Sequence, residues 1–177
     1  MVAAEYTIIQ PNIEDAEELV AMHGQSWLDA YPNEEHGVSR EFIQQSVDSR
    51  ASEEGVKKRR EYIQESHTSL DYYFQIARDN KGKLVGFIDG RRGEKNELSG
   101  LYIAKSEYGS GLAQQLCDGI LTWFGNKEDI YLTVVTYNGR AQRFYEKIGF
   151  KIIPDSEHFH NGTVIPVVDM IRKGEKQ

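Results

Sequence analysis

Two segments in the C-terminal half of the chain combine residue types that could bind a phosphate and move a proton. Gly109–Ala113 reads Gly-Ser-Gly-Leu-Ala and directly precedes a stretch with helical spacing of apolar residues. Glycines allow a tight turn at a helix start, where unpaired N–H groups and the helix dipole attract phosphate. The second segment, Asn138–Phe150, begins after the next apolar run and carries Tyr145 one helical turn inside it. A phenol stays protonated at neutral pH, so this tyrosine could act as an acid.

A short glycine loop is a weak signal by itself, because a tight turn without a ligand has the same composition. A dinucleotide-binding loop requires a third glycine, and Gln114 occupies that position. A P-loop requires Gly-Lys-Ser/Thr, which is absent. Asn138 is typical of a helix cap, and that role is compatible with a second hydrogen bond to a ligand.

Other reactive residue types have simpler interpretations. His158 and His160 flank Phe159, so a metal site is geometrically possible, but no third ligand is evident and a pair facing solvent is favoured. We therefore predict no metal. Cys117 lies in the helix after the glycine loop and is interpreted as a small core residue rather than a nucleophile. As the only cysteine, it cannot form a disulfide within the chain and indicates a reducing compartment.

The elements that would position these residues follow from hydrophobic periodicity and turn signals. Pro11-Asn12 starts a first helix that runs to about Tyr31, and Ser39 caps a second helical region that breaks near Ser52 and Gly55. Gly149 ends the last helix. The predicted strands are 6–10, 72–77, 84–89, 97–104, 130–136, 151–153 and 164–171, and the helices are 12–31, 39–63, 111–124 and 140–148. Several hairpins and one strand–helix–strand crossover predict an α/β (α+β) fold, with a mixed, mostly antiparallel central sheet and helices on both faces.

Composition bounds the remaining possibilities. At 177 residues, 39% hydrophobic and 28% charged, the chain is expected to form one domain over 1–177. We expect no membrane association, because no segment is apolar over a bilayer's thickness, and a cytoplasmic location, because residues 1–6 lack the features of a signal peptide. The net charge of −7 and the interpretation of Lys57–Arg60 as a solvated helix face argue against nucleic acid. This charge mildly favours a cationic substrate.

The pattern N-x-x-A-x-x-F-Y-x-x-x-G-F at Asn138–Phe150 resembles the GNAT superfamily of acetyl-CoA-dependent N-acetyltransferases. The glycine segment of that family reads Q/R-x-x-G-x-G/A, which Gly111 and Ala113 match. Tyr108 stands where the family has Gln or Arg, which removes a side chain but leaves the backbone donors. The resemblance covers about residues 73–172 and implies the acyl-CoA N-acyltransferase fold.

The resemblance further implies that acetyl-CoA is the co-substrate and that its binding core spans about residues 97–150. It would lie between the strand ending near Ile103 and the strand ending at Thr136, with a backbone N–H near Ile103 holding the thioester oxyanion. The implied cofactor-binding residues are Leu101, Ile103, Gly109, Ser110, Gly111, Leu112, Ala113, Asn138 and Tyr145.

Two residues are implied in the chemistry. Tyr145 would protonate the leaving CoA thiolate, with Phe144 beside it in the core. An alkylamine is mostly protonated at neutral pH, so a base must deprotonate it before attack. Glu97, on the strand before the glycine loop, is the first candidate, although a surface strand glutamate is an equal alternative. Asp89 on the neighbouring strand is the reserve candidate.

The amine acceptor is the open part of the prediction. Trp27 and Tyr31 in the first helix are the predicted substrate-binding residues, and this region is similar to bacterial polyamine acetyltransferases of the superfamily. The acceptor is therefore expected to be a primary amine of a polyamine-like small molecule or of a peptide. A protein N-terminal or lysine amine, an antibiotic amine and a non-catalytic acyl-CoA sensor are the alternatives. The final strands could pair between subunits, so a homodimer is possible.

Overall fold

The computed structural model describes residues 5–175. Residues 1–4, on which part of the signal-peptide prediction depends, lie outside that range. The strands are β1 (Thr7–Ile9), β2 (Tyr72–Arg78), β3 (Leu84–Arg91), β4 (Asn96–Ile103), β5 (Ile130–Val135), β6 (Lys151–Ile152), β7 (His158–Phe159) and β8 (Pro166–Arg172). The helices are α1 (Ala16–Ala30), α2 (Arg40–Ala51), α3 (Glu53–Thr68), α4 (Leu112–Phe124) and α5 (Gly139–Lys147).

The eight strands form one sheet in the order β1-β2-β3-β4-β5-β8-β6, and β7 also pairs with β8. All pairs are antiparallel except β4–β5, which α4 connects as a crossover. Helices α1 and α3 contribute apolar residues to a core on one face, and α4 and α5 to a core on the other. The predicted mixed, mostly antiparallel sheet with helices on both faces is confirmed.

The helical region between α1 and β2 divides where the sequence predicts a break. Ser39 caps α2 by accepting a hydrogen bond from the Phe42 amide at 3.1 Å, and Ser52 caps α3 by accepting one from the Gly55 amide at 3.2 Å. Helix α3 continues to Thr68, five residues beyond the predicted end at Ile63. Ser66 in this extension is buried, so tertiary packing stabilises a segment whose polar composition did not indicate a helix.

Two further boundaries differ from the prediction. Strand β3 extends to Arg91 because this residue still pairs with Glu97 of β4, so the predicted turn from Gly90 is shorter. Between β6 and β8 the C-terminal region contains one more strand, the two-residue β7, which the prediction missed. Two-residue strands carry too little alternation to be recognised from sequence.

The sheet opens between β4 and β5. A β-bulge interrupts the β3–β4 ladder: Asp89 pairs with Gly100 and Gly90 with Leu98, so that Ser99 has no partner in this register. Strands β4 and β5 pair only at Asn96–Ile130 and at the adjacent residues 97 and 131. Because bulges bend and twist a strand, β4 turns away from β5 beyond this point. The result is a gap in the middle of the sheet, directly before the glycine loop.

Candidate active site

The glycine loop adopts the conformation that its composition requires. Gly109 and Gly111 have φ angles of 83° and 91°, and Gly111 is the residue that caps α4. A Cβ atom at either position would meet no atom within 4 Å, so backbone conformation rather than space selects glycine. The Ser110 hydroxyl accepts a hydrogen bond from the Leu112 amide at 3.2 Å, which holds the turn against the helix start. The loop therefore places the start of α4 beside open space, which Gly109, Gly111 and Ala113 line.

A first cleft of about 370 Å³ runs from this loop along β4 to α5. Of the predicted cofactor-binding residues, the structure brings Leu101, Ile103, Gly109, Gly111, Ala113, Asn138 and Tyr145 to its walls. Ser110 and Leu112 are not part of the cleft walls: Ser110 lies in the turn, and Leu112 is fully buried in the core below. The leucine thus supports the loop from the protein interior rather than facing the cleft.

Arg140 is a residue of this cleft that the sequence analysis did not single out. Its guanidinium carbon lies 3.3 Å from the centroid of the Tyr108 ring, and both residues line the first cleft. Tyr108 occupies the position where the resembling family has Gln or Arg. A cation from α5 is therefore stacked on the side chain that replaces it. The pairing joins residues far apart in sequence, so no local pattern could have indicated it.

Backbone hydrogen bonding indicates which β4 amides face the gap. The Ala104 amide donates to the Val85 carbonyl of β3 at 2.8 Å. Successive N–H groups of an extended strand point to opposite sides, so the Ile103 amide points away from β3, toward the cleft that Ile103 lines. This is the backbone donor that the resemblance implies for an oxyanion.

Tyr145 lies where the first cleft meets a second cleft of about 200 Å³, and it lines both. Its side chain is 8% exposed and packs against the rings of Phe144 and Phe150. Burial raises the pKa of the phenol well above its ordinary value, so the hydroxyl remains protonated throughout the physiological range. The relative burial differs from the prediction: Tyr145 is buried in the core, whereas Phe144 is only partly buried.

Asn138 performs the predicted capping role at the start of α5. Its side-chain oxygen accepts a hydrogen bond from the Ala141 amide at 3.1 Å. Gln142 donates to the carbonyls of Val135 and Thr136, which fixes the turn between β5 and α5. Asn138 also lines both clefts, which is compatible with a further hydrogen bond from this residue to a ligand.

The two predicted substrate residues line the second cleft together. Trp27 is buried, and its indole nitrogen donates to the Tyr102 hydroxyl at 3.3 Å. The Tyr31 ring packs against Trp27 with the ring planes tilted by 56°, and Tyr31 lines the first cleft as well. The Tyr137 hydroxyl donates to the Tyr31 carbonyl at 2.6 Å and so ties the end of α1 to the β5–α5 turn.

The two candidate bases lie in different surroundings. Glu97 lines the second cleft and accepts hydrogen bonds from Arg91 at 2.8 and 3.0 Å, with its side chain 38% exposed. Asp89 is buried and accepts a hydrogen bond from the Tyr62 hydroxyl at 2.8 Å. Burial raises the pKa of Asp89 to about 6, against the opposing effects of that hydrogen bond and of Arg59. Both carboxylates line a third cleft that continues from the second.

His158 and His160 are the pair considered above as a geometrically possible metal site. His158 is exposed in β7, whereas His160 lies in the following turn, with its ring centroid 6.1 Å from that of Trp27. Within residues 5–175, no group of three or more potential His, Cys, Asp or Glu ligands lies together. Cys117 is fully buried, and this burial raises its pKa to about 12, as fits a core residue.

Comparison with known proteins gives concordant findings. The sequence matches the family model described as an acetyltransferase (GNAT) domain over residues 36–173. An uncharacterized N-acetyltransferase of Mycobacterium tuberculosis is 31% identical over 144 residues, which cover 78% of this chain and 84% of the relative. No helix among residues 5–175 has the length and apolar character needed to span a membrane.

Solved structures share the fold. The PaiA N-acetyltransferase from Thermoplasma acidophilum, crystallised in complex with coenzyme A, superposes with a TM-score of 0.73. It is 25% identical, with coverage of 96% of this chain and 99% of that one. YncA of Salmonella typhimurium, a putative acetyltransferase solved with acetyl-CoA, has a TM-score of 0.69 at 13% identity, covering 98% and 96% of the two chains.

Proposed function

The chain belongs to the GNAT family of N-acetyltransferases, and from this premise we propose that it transfers the acetyl group of acetyl-CoA directly to a primary amine of a small molecule or peptide. The observation that carries the proposal is the position of Tyr145. Its buried phenol lies where the cleft beside the glycine loop meets the cleft lined by Trp27 and Tyr31. Two substrates entering from opposite sides would meet at this side chain.

The first cleft fits acetyl-CoA. The glycine loop at the start of α4 lines this cleft, and Arg140 adds a cation that can approach a phosphate. Strands β4 and β5 pair at two positions, so the remaining β4 backbone on that side can face an extended ligand in the first cleft. A protein of the same fold, at 25% identity, was crystallised with coenzyme A.

The reaction assigns one task to each group of this site. Acetyl-CoA supplies a thioester whose carbonyl carbon is open to attack by an amine. The Ile103 amide donates a hydrogen bond to the oxygen on which negative charge develops. Tyr145 donates its proton to the departing sulfur. Glu97, at the second cleft, or Asp89, in the third, accepts the proton that the amine loses.

The acceptor is proposed to enter along the second cleft, past Trp27 and Tyr31. A polyamine-like amine and a peptide amine, including a protein N-terminus or lysine, are the acceptors to compare. A non-catalytic acyl-CoA sensor is the alternative from another class. The presence of a protonated phenol where the first two clefts meet, with Glu97 in the second cleft and Asp89 in the third, supports catalysis over that alternative.

The test is release of free CoA thiol from acetyl-CoA with a panel of amines, for the wild type and Tyr145→Phe. We expect Tyr145→Phe to lower kcat by roughly 100-fold, because a positioned general acid contributes on that order. Acetyl-CoA affinity should change little, since the ring remains in place. Tyr73→Phe is the matched control, because Tyr73 is a partly buried tyrosine of β2 that packs against the α4 core.

Unchanged turnover in Tyr145→Phe would remove this residue from the mechanism. Stabilisation by acetyl-CoA without turnover of any amine would favour the sensor. A wild-type protein whose melting temperature does not respond to acetyl-CoA would contradict the assignment of the first cleft.

A further inference from the structure

The third cleft is a basic depression on the acceptor side of the molecule. It has a volume of about 660 Å³ and opens between α1, the α2–α3 junction and the ends of β3 and β4. Glu97, Ser99 and His160 line both this cleft and the second one, so the two are continuous. An acceptor whose amine reaches Tyr145 could therefore extend its other end into the third cleft.

The charged residues of this cleft are mostly cationic. Four basic side chains and two acidic ones line it: Arg50, Lys58, Arg59 and Arg91, with Asp89 and Glu97. Arg91 is paired with Glu97 at 2.8 Å, and Lys58 with Glu54 at 3.6 Å. Among residues 5–175, neither Arg50 nor Arg59 forms a salt bridge with a carboxylate. Two half-buried guanidinium groups thus face the cleft without a carboxylate in direct contact, and Asp89 lies near enough to Arg59 for their charges to interact.

Both arginines are held in place by groups that do not neutralise them. The Arg50 guanidinium carbon lies 3.9 Å from the Trp27 ring centroid, and its Nη1 donates to the Ser46 carbonyl at 3.2 Å. Burial lowers the pKa of Arg50, but an arginine remains protonated at neutral pH. The Arg59 guanidinium carbon lies within 6 Å of three aromatic ring centroids, those of Tyr62, Phe74 and Phe87. Aromatic faces orient a guanidinium while leaving its N–H groups available.

His23 gives Arg59 a further orienting contact. The Arg59 Nη2 atom lies 3.3 Å from His23 Nδ1. Arginine only donates, so Nδ1 must accept, and the ring proton is assigned to Nε2. That Nε2 atom is buried and has no hydrogen-bond partner among the described residues. Burial, Arg59 and Arg50 lower the pKa of His23 to about 3, so the ring stays neutral and keeps this arrangement.

We propose that the third cleft binds an anionic group, a carboxylate or a phosphate, carried by the amine acceptor, with Arg50 and Arg59 as its ligands. Guanidinium groups bind both anions through paired N–H donors. A polyamine would instead place a cation against two guanidinium groups that have no direct ion-pair partner among the described residues, which is unfavourable at short range. This inference rests on the proposed acetyl transfer and narrows its acceptor class.

The test compares acceptors that differ only in the anionic group. Kinetics of CoA release would be measured for an amino acid against its carboxamide, for phosphoethanolamine against ethanolamine, and for spermidine. We expect kcat/KM to be roughly tenfold or more higher for the anionic member of at least one pair, since hydrogen bonds to charged groups contribute on this scale. The pair that responds distinguishes carboxylate from phosphate.

Variants connect this preference to the cleft. In Arg59→Gln and Arg50→Gln we expect the ratio within the responding pair to fall toward one, and in Arg59→Lys to fall only partly, because charge remains without the fork. Arg60→Gln is the matched control: this neighbouring arginine of α3 is paired with Glu17 at 2.8 Å and does not line the cleft. It should keep the wild-type ratio.

Several results would overturn the inference while leaving acetyl transfer intact. They are equal or faster turnover of the neutral members, faster turnover of spermidine, or an unchanged ratio in both glutamine variants. Binding is measured separately by titrating N-acetylglycine and inorganic phosphate into the acetyl-CoA-free protein. Binding that Arg59→Gln abolishes supports the site even without turnover, and no binding of either probe to the wild type overturns it.

Discussion

At the scale of single residues, Asp89 and Glu97 each meet only part of what a catalytic base requires, namely access to the substrate and freedom from a competing ion pair. Glu97 reaches the second cleft but is engaged by Arg91, whereas Asp89 is buried one strand away. The Asp89 carboxylate lies so close to β4 that a Cβ on Gly100 would approach its Oδ1 to 2.5 Å. Gly100 therefore has a steric reason to lack a side chain, and Asp89 has a fixed position beside the bulge.

The pH dependence of the rate distinguishes these carboxylates. A base must be deprotonated to act, and burial raises the pKa of Asp89 to about 6. If Asp89 accepts the proton, wild-type kcat/KM should fall about tenfold per pH unit well below pH 6, since the deprotonated fraction of Asp89 falls by that factor. We expect Asp89→Asn to lower the rate and abolish this ionisation, and Glu97→Gln to retain it. If instead Glu97→Gln abolished the ionisation and Asp89→Asn retained it, Glu97 would be the base.

The sequence could indicate a residue of the candidate site where that residue belongs to one contiguous motif. Tyr145 and Asn138 belong to one segment, and both line the clefts. Arg140 lies in the same segment, but its importance appears only through contact with Tyr108. Arg50 and Arg59 come from two helices, and their lack of carboxylate partners is a property of tertiary structure that no spacing encodes.

At the scale of elements, the glycine loop and α4 form the part of the site that depends on a left-handed backbone conformation. Gly111 combines a left-handed conformation with a position at the helix start. Another glycine, Gly82 in the β2–β3 turn, has a φ angle of 81° and equally open surroundings. Substituting each glycine in turn therefore distinguishes a loss of stability, expected at both positions, from a loss of cofactor binding, expected only at Gly111.

We expect Gly111→Ala to lower the free energy of unfolding by about 1 kcal/mol, because an L-residue is strained in this region. The same variant should raise KM for acetyl-CoA several-fold, since the loop must shift to relieve the strain. Gly82→Ala should lose similar stability and keep the wild-type KM. Thermal unfolding and initial-rate kinetics measure the two quantities; an equal KM in both variants would separate the loop from cofactor binding.

Elements with strong periodicity or clear turn signals were predicted well, including α1, α4, β5 and the break at Ser52. The extension of α3 to Thr68 and the short strand β7 were not, because packing rather than local composition stabilises them. The bulge at Ser99 also depends on pairing between strands. Register of this kind is a property of two segments together and leaves no mark in either one alone.

At the scale of the whole molecule, the net charge of −7 and the character of the third cleft point to different partners. Overall charge acts at long range and is screened over roughly 8–10 Å at physiological salt. Within the cleft, short-range contacts with Arg50 and Arg59 dominate. The weak expectation of a cationic substrate, drawn from net charge, is therefore outweighed by local geometry in our proposal.

The proposed homodimer also belongs to this scale. Strands β6 and β7 flank the outer edge of β8 but offer only two residues each for pairing. Three apolar side chains in this region are exposed, Ile152 at 41%, Phe159 at 64% and Val164 at 45%. We propose that a second copy covers them. Light scattering should then give twice the chain mass for the wild type and the chain mass for Phe159→Glu; a monomeric wild type would contradict the dimer.

The gap between β4 and β5 has a consequence for how the chain avoids aggregation. Unpaired strand edges attract other chains, so proteins usually shorten, charge or cover them. Here the outer strands β1 and β6 are three and two residues long, while unpaired backbone of β4 lies inside a cleft between α5 and the glycine loop. Free backbone donors of β4 thus face a cleft between helices and loops rather than the rim of the sheet. The gap between β4 and β5 therefore both creates the ligand-binding cleft and covers a strand edge that would promote aggregation if it lay at the outside of the sheet.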